Sequence, residues 1–115
     1  MLLFNDRYEC KLSTRALLNI EKSLGDNPIN LLYRENQAVP SLSTLLTILF
    51  HCARKDNPQI RSMDNIIDIY DEYLEHGGSL TSLTKFIVDL IQDSGIIKNT
   101  ELEDEEPEDN EERKN

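Results

Sequence analysis

The strongest constraint in this sequence is how often it interrupts its own helices. Ser13 or Thr14 can cap a helix whose apolar positions are Ala16, Leu17, Ile20 and Leu24, and Gly25 stops it. Asn27-Pro28 then opens a short helix carrying Ile29, Leu31, Leu32 and Tyr33, since Asn accepts amide hydrogen bonds and Pro fits a first turn. Pro40-Ser41 begins the most apolar segment. There Leu42, Leu45, Leu46, Leu49 and Ala53 keep helical spacing, and Ile48 and Cys52 widen the stripe, which predicts a central helix touched on several sides. Lys55 to Pro58 ends it. Ser62 caps a fourth helix, with Asp64 in its positive first turn and Met63, Ile66, Ile67, Tyr70, Tyr73 and Leu74 as its apolar set. Gly77-Gly78 stops that helix, and Ser79 caps a fifth bearing Leu80, Leu83, Phe86, Ile87, Leu90 and Ile91 before Gly95.

Ahead of the helices, Tyr8-Glu9-Cys10-Lys11-Leu12 alternates apolar and polar, which is a strand period. Leu2-Leu3-Phe4 precedes it across the turn-like pair Asn5-Asp6, so a short N-terminal β-hairpin is expected. The predicted fold is therefore mainly α: a small bundle of about five helices over residues 1–98, with that hairpin at its start. A chain of 115 residues has room for one such domain. Residues 99–115 read as an acidic disordered tail, because charge repulsion is high and apolar surface too scarce to offset the ordering entropy.

Charge removes whole classes of partner. The formal net charge is -10, but residues 101–115 hold 9 acids and 2 bases, leaving 13 acids and 10 bases on residues 1–100. No basic face is apparent that would neutralise nucleic-acid phosphates or dock on anionic lipid. The longest apolar stretch, Leu42 to Ala53, is shorter than the ~20 residues a membrane-spanning helix needs. The start, MLLFNDRYECK, lacks the features of a secretory signal, and two cysteines, Cys10 and Cys52, do not make a disulfide framework. A cytoplasmic protein with reduced thiols is the expectation.

Catalytic and metal-binding patterns are weak. His51 and Cys52 are adjacent, so on a helix they point about 100° apart and converge poorly on one ion; no CxxC or HxxxH spacing occurs, and His76 stands apart. Asp68 with Glu72, and Asp71 with Glu75, are helical neighbours and read as a solvated acidic face rather than a paired-carboxylate site. Gly77-Gly78-Ser79 lacks the preceding strand and the Lys of a phosphate loop. The helix after it carries Lys85 against Asp89 and Asp93, a poor complement to DNA. No catalytic residue, cofactor or metal is expected. The candidate self-association or client-binding residues are instead the apolar clusters near the ends of the domain: Leu2, Leu3 and Phe4, and Ile96 and Ile97.

The segment from Tyr8 to Pro28, with "RALLNIEKSLGDNP" at its centre, resembles the opening of phage tail assembly chaperones, a family found in long-tailed phages and prophages with relatives in gene transfer agents. The likeness continues through "LSTLLTILFHCAR" and "NIIDIYDEYLEHGGS" to the helix ending in "SG", covering roughly residues 6 to 97. It is carried by apolar and small-residue patterns, without a chemical signature. The resemblance implies a non-enzymatic protein that binds the tape measure protein, keeps it soluble and assists tail tube polymerisation. It further implies residence in the host cytoplasm and absence from the mature virion. Implied partners are the tape measure protein, the tail tube protein, a second copy of the chain and a longer frameshifted form. The end Arg113-Lys114-Asn115 can be encoded by a slippery heptamer, in keeping with such a frameshift. The competing reading of the charge is an acidic DNA mimic or inhibitor, which would need its acids fixed on a rigid face; 9 of the 22 acids lie in the tail.

Overall fold

The computed structural model describes residues 2–28, 30 and 40–96. Two short strands, β1 (Leu2–Phe4) and β2 (Tyr8–Cys10), are followed by helices α1 (Thr14–Leu24), α2 (Leu42–Ala53), α3 (Met63–Glu75) and α4 (Leu80–Ser94). The described residues thus hold four helices, not the five expected. Helical backbone resumes at Pro28, but most of the predicted second helix, including Ile29, Leu31, Leu32 and Tyr33, lies outside the described residues. So do Ile97 and the acidic segment 99–115.

The hairpin follows from its turn residues. Asn5 and Asp6 adopt φ of 55° and 60°, the left-handed region that Asn and Asp tolerate best after glycine. The turn closes with the Arg7 N–H donating to the Phe4 carbonyl at 3.1 Å. The antiparallel register pairs Leu2 with Cys10, Leu3 with Glu9 and Phe4 with Tyr8. Alternation then places Phe4, Tyr8 and Cys10 inward, all buried, while Leu3 and Glu9 face out.

The helices start and stop where their caps dictate. Ser13, Ser41 and Ser79 each accept a hydrogen bond from the backbone N–H three residues on. At α3 the Asn65 carboxamide oxygen reaches back to accept from the N–H groups of Arg61 (2.8 Å) and Ser62 (3.1 Å). Gly25 ends α1 at φ 75° and Gly95 ends α4 at φ 79°, a conformation costly for any residue with a Cβ. Gly78 is constrained differently: a Cβ there would overlap the Tyr73 ring.

Helix α2 is the centre of the core. Leu45, Leu46, Ile48, Leu49, Phe50, Cys52 and Ala53 are all buried, and α1, α3, α4 and β2 each pack on it. On α3 the buried set is Ile66, Ile69 and Tyr70, with Tyr73 packed beside them. Ile67 and Leu74, expected on the core side, are instead 43% and 42% exposed. The positions 66, 69, 70 and 73 follow i, i+3, i+4, i+7 and make one stripe; 67 and 74 lie about 100° around the helix from it.

One buried polar side chain ties the hairpin to the bundle. Asn57, 6% exposed, donates to the Glu9 carbonyl of β2 at 2.8 Å and to the Ala53 carbonyl at the end of α2 at 2.7 Å. The Lys11 N–H adds a bond to the Cys52 carbonyl at 2.9 Å. Replacing Asn57 with alanine strips a partner from two carbonyls and should cost about 2–3 kcal/mol. Urea unfolding of the two proteins measures this; a loss below ~0.5 kcal/mol would show that water replaces the amide without penalty.

Candidate functional site

The hairpin packs against the junction of α3 and α4, and a cleft opens there. It is lined by Leu3, Phe4, Asn5, Asp6, Tyr73, Ser82, Lys85, Phe86 and Asp89, with a volume of about 430 Å³. Its floor is aromatic. Phe4 lies 4.5 Å from the Tyr73 ring centroid, tilted by 37°, and 5.3 Å from Phe86 in an edge-on arrangement at 63°. These separations are typical of favourable aromatic pairs. The Tyr73 hydroxyl is hydrogen-bonded to Ser82 Oγ. Ser82 also caps α4 by accepting from the Ser79 N–H at 2.9 Å, so the closest hydroxyls have structural duties. On the rim, Lys85 Nζ meets Asp89 Oδ2 at 3.1 Å.

The residues proposed from sequence separate on this framework. Phe4, at 1% exposure, is part of the core. Leu2 is partly buried and packs on the same core. Leu3 is 52% exposed at the mouth of the cleft. Of these three residues Leu3 faces outward, because a strand sends neighbours to opposite faces. Ile96 is 36% exposed just beyond α4, and Ile97 lies outside the described residues. Tyr73, Phe86, Lys85 and Asp89 complete the cleft; in sequence they are helix-face residues, and nothing local signals that the fold brings them to the hairpin.

A second feature pins the same hairpin. Arg7 Nη1 sits 2.6 Å from Glu72 Oε2 on α3, and its guanidinium lies 5.1 Å from the Tyr8 ring centroid. Glu72, read as part of a solvated acidic face, therefore has a partner across the fold.

The soft ligands do not assemble. Cys10 and Cys52 are buried and unbridged. Burial, offset slightly by a backbone hydrogen bond, pushes the Cys10 thiol up to about 12. Burial, followed by proximity to Cys10, pushes Cys52 up as well, so both remain protonated near neutral pH. His51 hydrogen-bonds Ser23 through Nε2 at 3.1 Å. Burial, then the nearby Arg54 charge, lowers its pKa. Among the described residues no three His, Cys, Asp or Glu side chains come together as a metal-binding group, and no helix is long and apolar enough to cross a membrane.

The cleft is shallow, open and largely polar; Leu3 stands exposed at its mouth, and the half-buried Tyr73 and Phe86 supply its aromatic part. Comparison of the chain with protein-family models, with characterised proteins and with solved structures gives no match.

Proposed function

We propose that this chain is a non-enzymatic assembly chaperone of the phage tail type, which covers an apolar helical stretch of a tape measure protein until the tail tube forms around it. The observation that carries the reading is Leu3, half exposed at the mouth of the aromatic cleft between the hairpin, α3 and α4. It is supported by the resemblance of residues 6 to 97 to that family in their pattern of apolar and small residues. A helical client presents apolar anchors at i, i+3 and i+4, and the exposed Leu3 beside the half-buried Tyr73 and Phe86 offers such an anchor an apolar contact. The tail tube protein, a frameshifted longer form and a second copy of the chain are the further partners proposed, with the host cytoplasm as the place of action.

The test is Leu3→Asp in the full chain. Leu3 is half exposed but stands opposite Glu9, so the aspartate adds a like-charge cross-strand pair and folding stability should fall by about 1 kcal/mol, which urea unfolding measures separately from binding. Affinity for the tape measure protein, measured by titration calorimetry, should fall about tenfold or more, as expected for a charge placed at an apolar contact. Unchanged affinity would remove the cleft from client binding. The mass of the protein by light scattering, compared between wild type and variant, reports separately whether Leu3 serves self-association.

A further inference from the structure

A second, chemically different cleft lies between the start of α1 and the end of α2. It measures about 790 Å³ and is lined by Ser13, Thr14, Arg15, Ala16, Leu18, Asn19, His51, Arg54 and Lys55. Among the described residues no acidic side chain lines it, and three cationic ones do. Arg15, Arg54 and Lys55 are exposed, and none has an ion-pair partner among the described residues. The N-terminus of α1 adds its positive end, with no acidic residue in the first turn to offset it. Arg54 is held in place over the Phe50 ring at 4.8 Å. Leu18, 59% exposed, supplies an apolar patch at the edge.

Such a cationic pocket stands out on a chain whose net charge is -10, and the same chain carries its complement. Residues 101–112, ELEDEEPEDNEE, hold nine acids, no base and one large apolar residue, Leu102. Fully extended, residues 97–112 reach about 55 Å, which exceeds the molecule's longest dimension of 49 Å. Tethering places the segment at an effective concentration in the millimolar range, so a weak site is enough to hold it. We propose that the acidic segment 101–112 docks in the cleft formed by Arg15, Arg54, Lys55 and the α1 N-terminus of its own chain. This goes beyond the chaperone reading and does not depend on it. The consequence is that the free protein masks its own basic surface, and a client or partner with acidic character has to displace the segment to use it.

The test uses the full chain with Asn110→Cys bearing a nitroxide label. Cys10 and Cys52 are 0% and 1% exposed, so the introduced thiol is the reactive one. At low salt, amide signals of Arg15, Leu18, Arg54 and Lys55 should lose half or more of their intensity to paramagnetic broadening. The broadening should vanish at about 0.5 M salt, where charges separated by more than a few ångströms are screened. It should also vanish in Arg54→Glu/Lys55→Glu, both surface changes whose fold is checked by circular dichroism. Mixing labelled chains with unlabelled, isotope-enriched chains separates docking within a chain from docking between copies. Absence of low-salt broadening at these residues overturns the proposal. So does broadening that survives salt and charge reversal, or equal broadening in the mixed sample.

Discussion

Replacing Phe4 with alanine is expected to destabilise the protein by about 3–5 kcal/mol, the range for removing a fully buried aromatic ring. Phe4 is 1% exposed and is the inward residue of β1, between the rings of Tyr73 and Phe86. Its loss removes apolar burial, leaves a cavity and deletes both aromatic pairs. The hairpin has just two strands of three residues, which alone are too short to be stable. It is held by Phe4, by Asn57 and by the Arg7–Glu72 contact, so much of its anchoring goes with the ring. Leu3→Ala, one position away, should cost less than about 0.5 kcal/mol because Leu3 is already half in solvent. Urea unfolding of the two variants side by side checks the contrast. Equal losses would mean that the strand does not alternate as described.

The second large effect is alkaline destabilisation. An unfolded cysteine ionises near pH 8.5, whereas the folded Cys10 thiol holds its proton to about 12 and Cys52 is shifted in the same direction. Above pH 8.5 the unfolded state binds fewer protons than the folded state, so stability falls as pH rises. It is fully present below the unfolded pKa and is lost progressively on the way to the folded one. Each thiol contributes about 1.4 kcal/mol per pH unit in that window, or roughly 3–4 kcal/mol for the pair between pH 8 and pH 10. Cys10→Ala/Cys52→Ala should start from a lower stability and lose this slope. An unchanged slope in the double variant would assign the alkaline loss to other groups.

Much of the helical framework was legible because its signals are local. Caps at Ser13, Ser41 and Ser79 and stops at Gly25 and Gly95 act within one turn of chain, and the width of the α2 stripe announced its central place. The hairpin was legible from Asn5-Asp6 and the alternation after it. What was not legible depends on partners distant in sequence. Ile69 and Ile67 are equally apolar, and only the direction from which α2 approaches decides which is buried. Asn57 looks like an ordinary helix-ending residue until Glu9 is brought against it across 48 positions. Which members of the N-terminal apolar run fold onto the core is set by strand geometry, which puts Phe4 within and Leu3 without. The basic cleft is assembled from Arg15 on one helix and Arg54-Lys55 past another, and the balanced charge of residues 1–100 conceals it.

On the proposed function, the exposed Leu3 and the cleft beside it keep an apolar helical client in solution. The most direct measurement is co-expression of the full chain with a phage tape measure protein, scoring how much of that long protein stays in the soluble fraction. The account predicts a several-fold increase with the wild-type chain and a return toward the level without chaperone for Leu3→Asp. A tape measure protein equally soluble with and without the wild-type chain would contradict it.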